Sequence, residues 1–154
     1  MNKTDIIKET ITELLKTMNF EGEVAVDDSD ENNILVNVQT NQAGFLIGQA
    51  GTSLDALQYI ARVMVNKKGN QSIQFLLDVN DYRKHRIKLL KELARNIAKQ
   101  TLSEKATITL QPMSAYERRV IHLVLSDNPE VNTESIGQDP ERKIVVRPAN
   151  QKNP

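Results

Sequence analysis

At residues 44–66 the chain reads GFLIGQAGTSLDALQYIARVMVN, in which a turn containing two glycines runs directly into a helical pattern. Gly48 and Gly51 lack a Cβ, so they allow a tight turn that a ligand can approach closely. Unpaired N–H groups at a helix N terminus favour anions, so such a turn can hold the phosphates of an extended nucleic-acid strand. Two glycines before a helix are also common in a connecting loop that binds nothing. The turn by itself therefore leaves open whether it binds a ligand or only connects two elements.

The segment after the turn predicts a helix over 52–66. Thr52 and Asp55 have the spacing of a capping box, and apolar residues recur every three or four positions on one face. The sequence KKGN at residues 67–70 ends the pattern. The residues of the apolar face are Leu54, Leu57, Ala61 and Met64.

The rest of the first half predicts one more helix and three strands. Helical spacing of apolar residues predicts a helix over 4–18. Short apolar segments at 24–26 and 34–38 flank the turn sequence DDSDENN, which predicts a hairpin. Alternation of apolar and polar residues over 72–79 predicts a half-buried strand. The predicted order is therefore helix, strand, strand, helix, strand.

The second half begins with a long predicted helix that Asn80 or Asp81 caps and that ends near Leu102. Its apolar stripe consists of Ile87, Leu90, Ala94, Ile97 and Ala98. Ser114 and Glu117 form a second capping box for a helix that ends near residue 125. Three short strands are predicted at 107–110, 131–135 and 144–146.

These two groups of elements predict an α+β protein with two modules. We place the first module at residues 1–79 and the second at residues 80–148, with a frayed tail at 149–154. The second module is a small α+β domain with a long first helix and three short strands. No linker of Gly, Pro or Ser separates the modules, so the boundary depends only on the grouping of the elements.

Charge is segregated along the chain although the formal net charge is zero. Residues 21–31 contain six acidic and no basic residues, whereas residues 82–99 contain seven Lys or Arg and a single acid, Glu92. A polyanion is attracted by local charge as well as by the net charge of the protein. The second module therefore carries the stretch that can attract phosphate.

Composition narrows the class of protein further. The 154 residues contain no Cys, which excludes disulfides, thiolate metal sites and thiol nucleophiles and is typical of a reducing compartment. The opening MNKTDIIKETITELLK mixes charged with apolar residues, so it is neither a signal peptide nor a membrane span. We expect a cytoplasmic protein without direct membrane insertion and without a metal or other cofactor.

Arg118 and His122 lie four residues apart on the predicted last helix, and hence on one face of it. A guanidinium can pair with a phosphate or stack on a base, and an imidazole can do the same. The alternative is a surface Arg paired with Glu and a structural His. We predict that this pair binds single-stranded nucleic acid.

The basic helix supplies further candidates for phosphate contact. We choose Arg83 and Arg86 because they lie at the helix start beside the boundary between modules, and Lys91 because it borders the apolar stripe. For any one of these residues a solvated helix face is an equal alternative. That alternative fits Lys84, Lys88 and Arg95 well, and Arg142, Lys143 and Arg147 have the same standing as the chosen residues.

Catalysis finds little support in the sequence. The glycine turn is followed by no Walker-type Lys-Ser/Thr, and the chain has neither GxGxxG nor a GxSxG nucleophile elbow. Its only histidines are His85 and His122, and the adjacent Asp27 and Asp28 fall in a predicted hairpin turn, where burial cannot tune a pKa. We predict no catalytic residues and no enzyme activity.

The glycine turn and the elements around it resemble a type II KH domain of bacterial RNA-binding proteins. The resemblance implies that Gly48 to Gly51 contact the nucleic-acid backbone and that Ile47 and Leu54 form walls of a base groove. Similar loops carry Lys or Arg between the glycines, whereas this chain has Gln49 and Ala50 there. No basic residue occurs between Lys16 and Arg62, so this turn should clamp the backbone more weakly than its relatives.

The second half resembles the domain named for its Arg-x-x-x-His motif, which binds single-stranded nucleic acid. The residues concerned are LQPMSAYERRVIHLVLSDNPEVNTESIGQDPERKIVVRP and the preceding DYRKHRIKLLKELARNIA. A type II KH domain followed directly by this domain is similar to the bacterial Jag family, also called KhpB or SpoIIIJ-associated protein. That family carries an additional N-terminal domain and a charged linker, which this sequence lacks. The resemblance implies that Arg118 and His122 bind the ligand.

The same resemblance implies partners and a cellular role. It implies an RNA chaperone or post-transcriptional regulator linked to cell elongation and envelope growth, with single-stranded RNA as the ligand and single-stranded DNA left open. It also implies pairing with a smaller KH-only protein. The alternative is a protein-interaction scaffold in which the KH half has lost RNA affinity, as Gln49 and Ala50 would permit.

Overall fold

The computed structural model describes residues 1–150, and each half of the chain has its own hydrophobic core. The contacts between residues divide the chain into two units, and both are α+β. The division falls between Arg83 and Lys84, inside a helix. The predicted division between residues 79 and 80 stays a prediction. Most of the predicted tail, residues 151–154, lies outside the described residues, whereas Ala149 donates its N–H to the carbonyl of Glu130 at 2.8 Å.

The first unit has the predicted order of elements with one addition. A short helix precedes the glycine turn, where the sequence predicts no element. The elements are α1 (Lys3–Thr17), β1 (Glu23–Asp27), β2 (Ile34–Gln39), α2 (Ala43–Ile47), a 3-10 turn (Gln49–Gly51), α3 (Thr52–Gly69) and β3 (Phe75–Val79).

The three strands form one sheet in the order β1-β2-β3, with β1 antiparallel and β3 parallel to β2. Helices α1 and α3 pack against each other and share one core with the sheet. The predicted hairpin is confirmed by the pairing of β1 with β2. The innermost side chains, all at most 1% exposed, are Ile7, Ile11, Val36, Val38, Leu54, Ala61, Val65, Leu77 and Val79.

Strand β3 is shorter than predicted because residues 72–74 belong to the connection from α3 and not to the sheet. The N–H of Ile73 donates to the Asn66 side chain at 2.7 Å, so this residue closes the connection from α3 instead of joining the sheet. Ile73 is still buried, which explains why it belongs to the alternating pattern. Pairing with β2 begins only at Phe75.

The outer edge of β3 is covered by side chains. The Gln58 amide, buried in the core, donates to the carbonyl of Phe75 at 3.1 Å and accepts from the N–H of Leu77 at 2.6 Å. The Arg83 Nε donates to the carbonyl of Leu77 at 2.9 Å, and the Asp78 carboxylate accepts from the N–H of Val79 at 2.8 Å. This edge strand therefore has its polar backbone groups satisfied without a further strand.

The long helix after β3 is capped by a residue that the sequence did not single out. The Asp78 carboxylate accepts the N–H of Arg83 with both oxygens at 3.0 Å, so the prediction of Asn80 or Asp81 as the cap is wrong. Asn80 instead exchanges two hydrogen bonds with the backbone of Thr40, at 3.0 and 2.8 Å. It ties the chain after β3 to the end of β2.

The second unit contains most of this helix and the predicted three strands. Its elements are α4 (Tyr82–Glu104), β4 (Ile108–Thr109), α5 (Ala115–Ser126), β5 (Val131–Ile136) and β6 (Lys143–Pro148), of which α4 begins in the first unit. The strands form an antiparallel sheet in the order β4-β6-β5. Its core is made by Leu90, Ala94, Ala98, Leu110, Met113, Ile121, Leu125, Val131, Ile144 and Val146.

Helix α5 begins as the sequence predicts but its capping box is only half formed. The Ser114 hydroxyl accepts the N–H of Glu117 at 3.2 Å. The Glu117 carboxylate is buried and accepts from the Arg86 Nε at 2.7 Å. An acid at this spacing serves here to anchor α4 to α5.

Within residues 1–150, no helix is both long enough and apolar enough to cross a membrane.

Candidate nucleic-acid interface

The turn between α2 and α3 has a backbone that requires glycine. Gly48 has φ 69° and ψ −175°, a combination that is essentially restricted to glycine, and Gly51 has φ 79°. A Cβ on Gly48 would collide with the Ser53 side chain. Ala50 is also left-handed, with φ 54°. The two glycines are thus needed for the shape of the turn.

The N terminus of α3 lacks the predicted capping box. Gly51 is the N-cap residue, so no side chain caps the helix. The Thr52 hydroxyl donates to the carbonyl of Gln49 at 2.9 Å, and Asp55 pairs with Arg83 at 3.1 Å. The backbone of the 3-10 turn serves this helix end instead, because the N–H of Thr52 donates to the carbonyl of Gln49.

The residues predicted around the turn differ in exposure. Gln49 and Ala50 are exposed, and Ile47 and Gly48 are half-buried. Gly51 is buried, and a Cβ there would lie 3.2 Å from the Tyr82 ring. Leu54 is 0% exposed, so its side chain belongs to the core and offers no surface to a base.

Arg83 and Arg86 both have partners within the fold. Arg83 donates to the Leu77 carbonyl and to Asp55, and Arg86 donates to the buried Glu117. Each charge is already matched by a carboxylate, so neither guanidinium adds net positive charge at the place where it lies. The structure therefore gives both residues a structural role that the sequence did not predict.

Arg118 is 8% exposed and lies beneath the surface of the second unit. Its Nη1 donates to the carbonyl of Met113 at 2.6 Å and to the Asp139 carboxylate at 3.2 Å. It therefore joins the start of α5 to the loop between β5 and β6.

His122 is exposed one helical turn further along α5, as its spacing from Arg118 predicts. Its Nδ1 lies 2.6 Å from the Thr133 hydroxyl on β5, which fixes the orientation of the ring. Both residues line a pocket of about 350 Å³ between α5 and the sheet. The other lining residues are Ala115, Arg119, Thr133, Glu134, Ser135, Asp139, Arg142 and Ile144.

Lys91 lines a second cavity of the same unit, of about 650 Å³. Arg95 and Lys99 follow it at intervals of four residues on α4, and none of the three makes an ion pair within the described part of the chain. The opposite rim carries Asp127 and Glu130. This cavity is amphipathic and its charge is mixed.

Two arginines of the pocket were not chosen from the sequence, although Arg142 was named there as an equivalent candidate. Arg119 follows Arg118 directly, so a motif that fixes only the first arginine and the histidine passes over it. Arg142 comes from the loop between β5 and β6, and only the fold brings it to α5. The helical period alone could have indicated Arg119, because it lies three residues before His122.

Residues 1–150 contain no group of three or more His, Cys, Asp or Glu side chains placed to hold a metal ion.

Two family models match the chain, one for each half. Residues 4–76 match the KH domain of KhpA/KhpB, and residues 88–148 match the R-three-H domain, the one named for its Arg-x-x-x-His motif. The α+β topology of each unit agrees with this assignment and with the predicted fold class. The KH match ends within β3, and the match to the Arg-x-x-x-His domain begins inside α4.

Curated proteins named RNA-binding protein KhpB are similar over most of this chain. The one from Clostridium symbiosum is 35% identical over 90% of this chain and 63% of its own length. The one from Lactiplantibacillus plantarum is 40% identical over 72% of this chain and 34% of its own length. The one from Bacillus subtilis is 32% identical over 80% of this chain and 60% of its own length. The chain thus spans less than two thirds of the length of each of these relatives.

Proposed function

Since this chain belongs to the KhpB family, with a KH domain followed by an Arg-x-x-x-His domain, we propose that it binds single-stranded RNA through both of its units. The name shared by its relatives supports RNA as the ligand. Single-stranded DNA offers the same phosphates and bases, and the 2′-hydroxyl would distinguish the two.

The pocket between α5 and the sheet is the observation that carries this proposal. It gathers three arginines, the His122 ring and the Thr133 hydroxyl around one cavity. Guanidinium groups pair with phosphates, and an exposed ring can stack on an unpaired base. This combination suits a strand whose bases are not already stacked in a duplex.

The glycine turn contributes a second contact in the proposal. It offers the exposed residues Gln49 and Ala50 and a helix end without a side-chain cap, which fits an extended strand running past Gly48 to Gly51. Without a cation in the turn, this contact should orient the strand more than it tightens binding. Lys91, with Arg95 and Lys99, is a third candidate contact on α4.

We assign the protein a binding role and not a catalytic one. A regulator or chaperone of RNA needs contacts that grip and release a strand, and the described site offers these without a paired acid and base. The family resemblance supports a role in post-transcriptional control linked to cell elongation and envelope growth. Such a role would place the protein in the cytoplasm.

The proposal is tested by fluorescence anisotropy with a labelled single-stranded RNA over a range of salt concentrations. If three to five phosphates are neutralised, the log-log slope should lie near about −2 to −4. Unlabelled single-stranded RNA should compete, and duplex RNA of equal length should not. An absence of binding at low salt would reject RNA binding for this chain.

A second candidate function is pairing with another KH domain, and one surface favours it. Tyr59, Ile60 and Val63 lie on one face of α3 and are 67%, 45% and 50% exposed. Exposed apolar residues that adjoin on one helix face can form an interaction site. The partner we propose is the KH domain of a smaller KH-only protein or of a second copy.

Sedimentation velocity tests this candidate with the variant Val63→Glu. A charge at the centre of the apolar face should dissociate a complex with a KH-only protein without unfolding the unit, because the side chain is half exposed. Arg62→Glu, which lies beside that face, is the matched control and should leave association unchanged. Equal association of both variants would exclude this face of α3.

A further inference from the structure

The Arg118 side chain is buried in the second unit and bonded to groups of that unit. A single nitrogen, Nη1, serves both the Met113 carbonyl and the Asp139 carboxylate, and the residue is 8% exposed. A phosphate that took Nη1 would displace one of these two partners. Replacing them would leave a buried carbonyl without a donor, which is costly.

The acids around the pocket are also matched, each by its own arginine. Asp139 pairs with Arg118, and Glu134 pairs with Arg147. Neither carboxylate is then left to repel a phosphate, since a neighbouring guanidinium neutralises each. The net positive charge of the pocket must come from its remaining cations.

Arg119 and Arg142 are those remaining cations. Arg119 is exposed and makes no hydrogen bond or ion pair with any residue from 1 to 150. Arg142 donates only to neutral groups, the Ser135 hydroxyl at 2.8 Å and the Gly137 carbonyl at 3.4 Å. A guanidinium has five N–H donors, so Arg142 keeps donors for a ligand.

An exposed aromatic ring lies beside Arg119 on α5. Tyr116, three residues earlier on the helix, is 63% exposed. Residues three apart are neighbours on a helix surface, so the ring and the guanidinium lie next to each other there. An aromatic face next to a cation is the arrangement on which single strands place a base and its phosphate.

We infer that Arg119, with Arg142 beside it, contacts the phosphates of the strand, that Tyr116 stacks a base, and that Arg118 holds the framework of the pocket. This inference rests on the proposed function, because it assigns the contacts within the same RNA site. It moves the phosphate contact from the first to the second arginine of the sequence ERRVIH.

The test measures RNA binding and thermal unfolding for single variants. We use anisotropy with a fluorescent ten-nucleotide oligouridylate at several KCl concentrations, and the melting temperature of each variant without RNA. The variants are Arg119→Gln, Tyr116→Ser and Arg118→Gln, with Arg62→Gln on the first unit as a control for the loss of one positive charge.

Arg119→Gln should keep the wild-type melting temperature, bind roughly 3- to 10-fold more weakly, and make the salt slope less negative by about 0.7, the value of one phosphate contact. Tyr116→Ser should weaken binding without changing the slope. Arg118→Gln should lower the melting temperature by about 4 to 8 °C and, below that temperature, keep the wild-type slope. Arg62→Gln should match the wild type in every measurement.

The outcomes separate this inference from the proposed function. Wild-type affinity and slope for Arg119→Gln, while the parent binds RNA, would overturn the inference alone. So would a reduced slope for Arg118→Gln with an unchanged melting temperature, because Arg118 would then contact phosphate. A parent that binds no RNA at low salt would overturn both.

Discussion

The glycine turn of the first unit and the pocket of the second unit suit the same ligand by different means. The turn offers backbone in a shape that only glycine permits, and Arg83, at the start of α4, is already paired with Asp55. The pocket offers side chains, and Arg119 and Arg142 leave it with unmatched positive charge. One site is therefore defined by shape and the other by charge.

This difference predicts a division of labour between the units. Contacts to backbone N–H groups depend on geometry, so a small change of shape abolishes them. Contacts of guanidinium groups to phosphate release counterions, so they carry the salt dependence of binding. The turn can therefore be tested by changing its backbone geometry, and the pocket by changing its charged side chains.

The largest effect is expected from a change of shape in the turn. Gly48→Ala should lower the free energy of unfolding by about 1 to 3 kcal/mol, because its backbone conformation disfavours any Cβ and the new methyl meets Ser53. Urea unfolding followed by circular dichroism measures the loss.

Gly44→Ala in α2 is the matched control, since nothing lies within 4 Å of a Cβ there. This control should be neutral or slightly stabilising, because alanine favours a helix. Equal stability of both variants would show that the turn tolerates a side chain at Gly48. The turn could then no longer be described as a site defined by its shape.

An effect of similar size, on binding and not on stability, is expected from the ring in the pocket. His122→Ala should weaken binding of single-stranded RNA by about 1 to 3 kcal/mol if a base stacks on the imidazole. Isothermal titration calorimetry gives the affinity. His85→Ala, an exposed histidine on α4, is the control and should bind as the parent does. If both variants bind alike, His122 has no contact with the ligand.

The smallest and most selective effect is expected from adding charge to the turn. Gln49→Lys places a cation between the two glycines, so the salt slope should become more negative by about 0.7 for one added phosphate contact. Gln71→Lys adds the same charge beyond the end of α3 and should leave the slope unchanged. Identical slopes for the two variants would mean that no phosphate passes the turn.

The order of elements could be predicted from sequence because the apolar periodicity is regular in both halves. The helical face of Leu54, Leu57 and Ala61 is buried as its spacing predicts, and so is that of Leu90, Ala94 and Ala98. Errors occur where a polar side chain has several possible hydrogen-bond partners. Asp55 could cap α3 or pair with an arginine, and only the fold places Arg83 within its reach.

The candidate site was predicted in part for the same reason. Spacing along α5 places Arg118 and His122 on one pocket, as the structure has them. Spacing does not reveal that Arg118 bonds the Met113 carbonyl while Arg119 faces solvent. The two arginines are adjacent on α5, and an arginine fits the buried edge of a helix face as well as the exposed one. Arg142 comes from a distant loop, and the sequence marks it only as one of three basic residues there, with Lys143 and Arg147.

The covered edge of β3 limits how this protein can associate with extended chains. Gln58, Asp78 and Arg83 occupy the backbone groups that an added strand would need. A peptide or a misfolded neighbour therefore cannot lengthen the sheet on that side by strand addition, which is a common route to aggregation. Any growth of this sheet is confined to the β1 side, where Glu23 and Asp27 at the two ends of the strand discourage it by charge.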